Sequence, residues 1–303
     1  MSILLPDGAR VIVQGITGRE GVARTQLMKG YGTHVVGGVT PGRGGEEVEG
    51  LPVFDTVKQC MSELGEIYAS CLFIPAPLVK DAALEAFDAG VELAVIVPDR
   101  VPLHDVLQIK AAADERGAHF LGPNTLGALS PDRWALGMIG GRADSARKFF
   151  SRGPVGVMSR SGGITSSMAY YLRKAGIGAS TIVHVGGDPV IGLPLPEIAR
   201  RFEQDEETKA VVMFGEIGGS QEERVAELIQ AGELSRPLVA YIGGKGAKEG
   251  TRFSHAGAII EGGRGTREGK IEALESAGAT VVDDFDELPA VTKGVLEAQG
   301  IEL

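Results

Sequence analysis

Short apolar runs alternate with longer amphipathic stretches from one end of the chain to the other. In the first half, the runs rich in β-branched residues predict five strands, and the amphipathic stretches between them predict four helices. The predicted strands are 10–14, 34–39, 70–74, 92–97 and 118–122, and the predicted helices are 19–30, 56–64, 78–89 and 103–116. This alternation is typical of a parallel sheet covered by helices on both faces.

The same alternation restarts in the second half, after a polar stretch in which the periodicity fails. The predicted strands there are 154–159, 180–185, 209–214, 237–242 and 279–282, and the predicted helices are 163–175, 195–204, 220–231, 265–277 and 286–298. We therefore expect an α/β protein with two doubly wound domains. The first domain is predicted over 1–130, the connection over 131–153, and the second domain over 154–303.

Composition narrows the function classes. The hydrophobic fraction of 43% in 303 residues is enough for two sizeable cores. A net charge of −10 disfavours nucleic acid as a partner, because such binding needs a concentrated basic surface. No apolar run is long enough to cross a membrane and no signal peptide is evident, so a cytoplasmic protein is expected. The two cysteines are too few for a disulfide framework.

A glycine turn follows the first predicted strand. The turn consists of Gly15, Ile16, Thr17 and Gly18, and an amphipathic helix begins directly after it. Backbone N–H groups and the positive end of a helix at such a turn suit a pyrophosphate. A tight strand-to-helix turn that binds nothing is the alternative interpretation.

The end of the second strand tests which dinucleotide-like ligand would fit this turn. An NAD enzyme places an acidic residue there for the ribose hydroxyls, whereas this chain has Arg43. A guanidinium suits a phosphate on the ribose, which leaves CoA and NADP as candidates, or a solvated loop arginine. Two further strand ends carry Pro75, Ala76 and Pro77, and Asn124; these loops either grip a ligand or serve as rigid turns.

The second half contains a donor-rich turn at the start of a helix. Ser159, Arg160, Ser161, Gly162 and Gly163 follow a predicted strand and form a candidate anion site. An ordinary serine N-cap is the alternative.

One carboxylate and one histidine complete the candidate chemistry. Glu216 follows strand 209–214 among glycines, and His255 lies in a glycine-rich basic loop. A carboxylate that binds one ring nitrogen of an imidazole fixes its tautomer and leaves the other as a nucleophile. His184 is a second candidate for the same cavity, whereas His34, His104 and His119 are expected at the surface or the core edge. A lone loop histidine is more often solvated than catalytic, so the residues alone leave this role open.

The order of motifs resembles the α subunit of succinyl-CoA synthetase (succinate–CoA ligase) and its relatives, which include malate–CoA ligase and ATP-citrate lyase. The resemblance covers almost the whole chain. Its residues are Gly-Ile-Thr-Gly at 15–18, Gly-Gly-Val-Thr-Pro-Gly-Arg-Gly-Gly at 37–45, Gly-Pro-Asn at 122–124, Ser-Arg-Ser-Gly at 159–162, Gly-Gly-Asp-Pro at 186–189, Gly-Glu-Ile-Gly-Gly at 215–219 and His-Ala-Gly-Ala-Ile-Ile at 255–260.

The resemblance implies a Rossmann-like CoA-binding domain followed by a flavodoxin-like ligase domain. It implies that His255 carries a phosphoryl group, that Glu216 orients it, and that residues 159–163 cradle the phosphate. Residues 15–18, Arg43, the Pro75 loop and Asn124 would hold CoA. A β subunit with an ATP-grasp domain would bind ATP or GTP with Mg²⁺, in an αβ or α₂β₂ assembly. CoA would attack an acyl phosphate made from a small carboxylic acid, with succinate favoured.

Several positions depart from the usual pattern of that family. They are Val22-Ala23-Arg24, Pro98-Asp99-Arg100, Thr125, Gly163 and His184. The acid is therefore left open between succinate, malate, citrate and a sulfonated acid. A CoA-binding regulatory protein without turnover and an NADP-dependent oxidoreductase are the alternative functions.

Overall fold

The computed structural model describes residues 3–246, 255, 258–260 and 265–301. The chain divides into two compact units. The first comprises Leu4–Lys148 and Val190–Leu193, and the second comprises Phe149–Pro189 and the chain from Pro194 onward, together with Ile3.

The first unit contains nine strands and five helices in its described residues. In chain order they are β1 (Val11–Gln14), α1 (Arg19–Tyr31), β2 (Val35–Val39), β3 (Glu47–Val48), β4 (Leu51–Phe54), α2 (Val57–Leu64), β5 (Ala69–Leu72), α3 (Val79–Ala89), β6 (Leu93–Ile96), α4 (Leu103–Arg116), β7 (His119–Leu121), β8 (Gly127–Ser130), β9 (Trp134–Gly137) and α5 (Ala143–Phe149). The main sheet has the order β3-β4-β2-β1-β5-β6-β7. All neighbours in it are parallel except β3 and β4.

Strand β1 lies at the centre of this sheet and all four of its residues are buried. Its single polar residue is satisfied inside the core: Gln14 donates to the carbonyl of Ala82 at 2.9 Å and accepts from the Ser70 hydroxyl at 2.7 Å. The strand order reverses between β1 and β5. Crevices at the carboxyl ends of strands form at such a switch point, which places a ligand site beside Gly15.

The second unit holds the remaining elements. They are β10 (Arg152–Ser159), α6 (Gly162–Lys174), β11 (Ala179–His184), α7 (Leu195–Gln204), β12 (Ala210–Glu216), α8 (Gln221–Gln230), β13 (Leu238–Gly243), α9 (Arg267–Ser276), β14 (Thr280–Val282) and α10 (Leu288–Ala298). The five strands run parallel in the order β14-β13-β12-β10-β11. Every residue of β11 and β12 is buried, and the apolar run at 210–214 in β12 is typical of a parallel strand that is covered on both faces.

The α/β class and the predicted strands and helices are confirmed, and the structure adds elements that the pattern did not show. Within 131–153, which we expected to be an irregular connection, lie β9 and α5. Strand β9 pairs with β8 as an antiparallel hairpin, and the Thr33 hydroxyl at the end of α1 donates to the Ala135 carbonyl at 2.7 Å. Both β9 and α5 lie in the stretch where the apolar alternation fails, so the pattern did not predict them. No helix of the described residues is long and apolar enough to span a membrane.

Candidate active site and cofactor pocket

The carboxyl ends of three adjacent strands bring together the candidate residues of the second unit. The parallel register pairs Ser159 of β10 with His184 of β11 on one side and with Phe214 of β12 on the other. Arg160 follows Ser159 directly, and Glu216 ends β12. The sheet therefore delivers Arg160, His184 and Glu216 to one edge, as expected for parallel strands.

His255 binds Glu216 at this edge. The imidazole Nδ1 lies 2.9 Å from both carboxylate oxygens. The Glu216 side chain is 2% exposed and that of His255 is 19% exposed, so the pair lies at the boundary between core and solvent. A carboxylate only accepts hydrogen bonds, so Nδ1 is the nitrogen that carries a proton, and in the neutral tautomer with this contact the ring lone pair lies on Nε2. The sequence predicted this pair of residues, and the structure places them in contact.

The residues that follow His255 are anchored next to Glu216. The Ala258 N–H donates to the His255 carbonyl at 3.1 Å. Ala258 and Ile260 pack against Ile217, which is the residue after Glu216. This small apolar cluster fixes one side of the histidine loop beside its carboxylate. The remainder of the predicted basic loop, at 247–254 and 256–257, lies outside the described residues.

The Arg160 side chain points into the protein. Its Nη1 donates to the carbonyls of Glu216 at 3.1 Å and Gly218 at 2.9 Å, and to Glu222 Oε1 at 3.1 Å. Its Nε lies 3.5 Å from the Glu216 carboxylate, and the side chain is 3% exposed. Burial acts to lower the pKa of Arg160, but the charges of Glu222 and Glu216 outweigh it and raise the pKa. From the sequence we expected this guanidinium in a phosphate cradle; the structure shows it holding the turn that carries Glu216.

The rest of the 159–163 turn forms the start of α6. The Ser159 hydroxyl donates to the Ser161 carbonyl at 2.9 Å and accepts from the Ser161 N–H at 3.0 Å. Ser161 occupies the N-cap position without a capping bond from its side chain. A side chain at Gly163 would point into open space. The first N–H groups of a helix have no partner within it, so this turn offers backbone donors to an anion.

His184, the last residue of β11, lies next to Arg160. It is 4% exposed and its Nε2–H donates to the Arg160 carbonyl at 3.1 Å. Burial lowers its pKa to about 4, with a smaller contribution from His255, and the bond to Arg160 only partly opposes this. His184 is therefore neutral near pH 7. The other histidines outside the site, His34, His104 and His119, are exposed.

The site contains two charged residues that the sequence did not reveal. Lys270 of α9 and Glu222 of α8 have side chains that are 0% exposed, and they form an ion pair of 2.5 Å. Acidic residues in the first turn of a helix ordinarily interact with the helix dipole in solvent, and a helical lysine is ordinarily solvated. Nothing in the local sequence distinguishes these two from such residues.

A cavity of about 540 Å³ lies at the carboxyl edge of the first unit. Of the predicted residues it contains Gly15, Thr17, Gly18 and Pro75. The other lining residues are Gln14, Val39, Thr40, Pro41, Phe73, Ile74, Leu78, Asp81, Ala82 and Glu85. Gly15 has φ +83°, and a Cβ there would lie 2.6 Å from the Phe73 carbonyl oxygen. Only glycine allows this turn to pack against β5, which shapes the cavity.

The other residues predicted to hold a cofactor lie elsewhere. Ile16 is fully buried in the core and offers only its backbone. Ala76 and Pro77 form a 3₁₀ turn after Pro75. Arg43 pairs with the Glu46 carboxylate, at 2.8 Å from Nη2, and is half-exposed. Asn124 has φ +57° and donates its N–H to the Pro98 carbonyl at 2.8 Å. None of these five belongs to the lining of the cavity as the described residues form it.

Comparison with known proteins matches one domain in the first half of the chain and another in the second half. A CoA binding domain matches residues 7–99, and a CoA-ligase domain matches residues 158–280. The chain is 48% identical to "Succinate--CoA ligase [ADP-forming] subunit alpha 2" of Archaeoglobus fulgidus, over 93% of this chain and 95% of that protein. It is 43% identical to an ADP-forming sulfoacetate-CoA ligase subunit of Bilophila wadsworthia, over 98% of this chain and 100% of that protein.

A solved structure shows the same fold. The ATP citrate lyase of Methanothrix soehngenii, in complex with citrate and coenzyme A, superposes with a TM-score of 0.90 at 22% identity. The match covers 99% of this chain and 52% of the lyase chain, so the present chain corresponds to about half of that protein. The sequence identity over nearly the full length, the two matching domains and the ordered motifs lead to one conclusion: the chain belongs to the succinate–CoA ligase α-subunit family.

Proposed function

We propose that this chain is the phosphohistidine-carrying subunit of an ADP- or GDP-forming acid–CoA ligase. In the first step, Nε2 of His255 attacks the terminal phosphoryl group of ATP or GTP, so that an N–P bond forms and the bond to the nucleoside diphosphate breaks. In the second step a carboxylate oxygen of the acid takes the phosphoryl group. The CoA thiolate then displaces inorganic phosphate from the acyl phosphate and forms the thioester.

The contact between His255 and Glu216 carries this proposal. With the proton held on Nδ1 by two carboxylate oxygens at 2.9 Å, the lone pair of Nε2 is the nucleophile. Phosphorylation of Nε2 leaves the Nδ1 proton in place and gives the ring a positive charge. The buried Glu216 carboxylate stabilises that charge where it develops.

The start of α6 is proposed to receive the phosphoryl group. Arg160 lies directly before the N-cap residue Ser161 of this helix. Its guanidinium lies 3.5 Å from the Glu216 carboxylate, and its carbonyl accepts a hydrogen bond from His184 Nε2. These contacts support a position of the helix start near His255. Gly162 and Gly163, the first residues of the helix, supply backbone N–H groups and the positive end of the helix dipole, whereas the Ser161 N–H donates to the Ser159 hydroxyl. In this proposal Arg160 acts through the Glu216 turn and not through direct contact with phosphate.

The cavity beside Gly15 is proposed to hold CoA. Its apolar lining and its close-packed glycine turn suit an adenine and a pyrophosphate, and the matched region is a CoA binding domain. Arg43 is proposed to meet the ribose phosphate after exchanging its Glu46 partner, because the exposed pair holds it only weakly. When bound, CoA supplies the thiol nucleophile.

A β subunit is proposed to complete the enzyme. The relatives are named as subunits, and the sequence has no Walker lysine motif for a nucleotide. The partner would provide an ATP-grasp domain that binds ATP or GTP with Mg²⁺, in an αβ or α₂β₂ assembly.

Succinate is the proposed acid. Succinate–CoA ligase and sulfoacetate-CoA ligase subunits match at 48% and 43% identity, so identity alone does not separate a dicarboxylate from a sulfonated acid. The test is a panel of succinate, malate, citrate and sulfoacetate, assayed for CoA thioester with the chain, its β subunit and MgATP or MgGTP. We expect fastest turnover with succinate and none with His255→Ala. Turnover that survives His255→Ala would contradict the mechanism. Faster turnover of another acid would identify that acid, and not succinate, as the substrate.

A further inference from the structure

The ammonium group of Lys270 lies entirely inside the second unit. Its Nζ donates to Glu222 Oε2 at 2.5 Å, to Glu223 Oε2 at 2.8 Å and to the Gly219 carbonyl at 3.1 Å. These three acceptors use all three N–H bonds of the ammonium. The Lys270 side chain is 0% exposed, whereas that of Glu223 is 30% exposed, so Glu222 is the buried partner.

Glu222 connects this lysine to the turn that carries Glu216. While Oε2 accepts from Lys270, Oε1 accepts from the Glu216 N–H at 3.1 Å and from Arg160 Nη1 at 3.1 Å. Burial acts to raise the pKa of Glu222, but the charges of Arg160 and Lys270 outweigh it and lower the pKa, so the carboxylate is ionised. A buried carboxylate with acceptor sites on both oxygens filled has one orientation only.

Arg160 completes the connection from the other side. Its guanidinium binds Glu222, two carbonyls of the turn and, at 3.5 Å, the Glu216 carboxylate itself. A chain of charged contacts thus runs from Lys270 through Glu222 and Arg160 to Glu216, and from there to Nδ1 of His255. Lys270 stands at the far end of it, without a described contact to Glu216 or His255.

Burying these charged side chains costs free energy that apolar side chains at the same positions would not cost. Replacing buried ion pairs with apolar residues of similar size is often neutral or stabilising, so an interior position on α9 does not require a charge for folding. A fully bonded network does fix geometry, because each member constrains the orientation of the next. The feature that this network constrains is the Glu216 turn.

We infer that Lys270 and Glu222 are positioning residues that hold the Glu216 carboxylate in place and so fix the Nδ1–H tautomer and the orientation of His255. The catalytic consequence rests on the proposed function, since it supposes that Nε2 is the nucleophile. The tautomer of His255 does not depend on that function.

The test uses the full chain with ¹⁵N-labelled histidine and the substitution Lys270→Met, which keeps the side-chain length and removes the charge. In the wild type, the ¹⁵N shifts of His255 should report the Nδ1–H tautomer, and in Lys270→Met they should move toward a mixture with Nε2–H. With the β subunit and MgATP, the rate of His255 phosphorylation should fall on the order of 10- to 100-fold, the scale of a small misplacement of a reacting group. Because Lys270 does not touch CoA or nucleotide in this proposal, the KM for nucleotide should be unchanged.

Lys293→Met is the matched control. Lys293 forms an exposed i,i+4 pair with Glu297 on α10, at 3.8 Å, and its loss should change neither the tautomer nor the rate. If Lys270→Met does not fold, the same two measurements on the isosteric Glu222→Gln decide the question.

The outcomes separate this inference from the proposed function. Wild-type tautomer and wild-type phosphorylation rate in a folded Lys270→Met or Glu222→Gln variant, with only the melting temperature lowered, would overturn the positioning role. A tautomer change in a chain whose wild type never becomes phosphorylated would support the positioning role and overturn the proposed function.

Discussion

The carboxyl edges of the two sheets differ in the residues that form them. The edge of the first unit is a cavity of about 540 Å³, formed mostly by a glycine turn, prolines and apolar side chains, with Asp81 and Glu85 also in its lining. The edge of the second unit is a set of buried charges in which Arg160, Glu216 and Glu222 are each no more than 3% exposed. Each candidate site lies at the carboxyl ends of the parallel strands in its own sheet. The first is suited to binding by close backbone approach, and the second to holding charge where a reaction develops it.

The difference predicts where substitutions act. Changes at the first edge should alter affinity for CoA and leave phosphorylation intact, and changes at the second edge should do the reverse. Substitutions at each edge test that separation.

Glu216→Gln should have the largest effect. The amide can still touch Nδ1, but it carries no charge to stabilise a phosphorylated, positively charged ring. We expect His255 phosphorylation to slow by about 100- to 1,000-fold, the scale on which loss of one preorganised electrostatic group reduces rates. Rapid-quench labelling measures the rate, and CoA affinity measured by calorimetry should not change. A parallel loss of CoA affinity would contradict the separation of the two edges.

Gly15→Ala should weaken CoA binding and leave the second edge intact. A methyl group at φ +83° would meet the Phe73 carbonyl oxygen at 2.6 Å, so the turn has to move. We expect a destabilisation of about 1–3 kcal/mol from backbone strain and a similar loss of CoA binding free energy, about 10- to 100-fold in Kd.

Gly8→Ala is the matched control for that substitution. Gly8 has φ +77° with nothing within 4 Å of a Cβ, so the variant carries the conformational strain without the collision. It should lose some stability and keep its affinity for CoA. Equal losses of affinity in both variants would show that general destabilisation, and not the turn, controls binding.

His184 should make the second unit sensitive to acid. Its folded pKa is about 4, below the ordinary value of about 6.5 in the unfolded chain. As pH falls between these values, the unfolded chain takes up a proton that the folded chain does not, so stability is lost. At about pH 5 the loss relative to neutral pH is about 2 kcal/mol.

His184→Gln tests this contribution, because its amide can still donate to the Arg160 carbonyl. Urea unfolding at two pH values should show a smaller acid loss in His184→Gln than in the wild type. His104→Gln, at an exposed position on α4, should behave as the wild type. An acid loss in His184→Gln as large as that of the wild type would show that His184 is already charged or accessible.

Arg43→Ala should have the smallest effect. Arg43 and Glu46 form an exposed ion pair, and solvent screens such pairs so that each contributes little to stability or binding. We expect CoA affinity to fall by about 5- to 10-fold, and the preference for CoA over dephospho-CoA to disappear. A variant that still prefers CoA would remove Arg43 from the proposed phosphate site.

The sequence predicted the parts of the molecule that have a local pattern. The alternation of apolar strands and amphipathic helices predicted both sheets. The glycine turn at 15–18 and Glu216 stand where an apolar strand meets a glycine-rich segment, and His255 lies in the glycine-rich sequence that follows a later strand. Strand ends converge at one edge of a parallel sheet, so their proximity follows from the topology.

The parts that were not predicted depend on tertiary contacts. Lys270 and Glu222 lie on two helices, and their charges meet only because α8 packs against α9 over the Glu216 turn. The direction of Arg160 is likewise decided by Glu222 and not by its neighbours in sequence. Short elements such as the β8–β9 hairpin gave no periodic signal. The sequence therefore predicted the residues His255 and Glu216 but not the buried charges that contact the Glu216 turn.

Detection of phosphate on His255 tests most directly whether this histidine carries the phosphoryl group. The chain would be incubated with its β subunit and MgATP labelled at the terminal phosphate, then digested and analysed under alkaline conditions that preserve phosphohistidine. We expect acid-labile label on the peptide that contains His255, its release on addition of succinate and CoA, and no label in His255→Ala. Label on another residue, or thioester formation while His255 remains unphosphorylated throughout turnover, would contradict it.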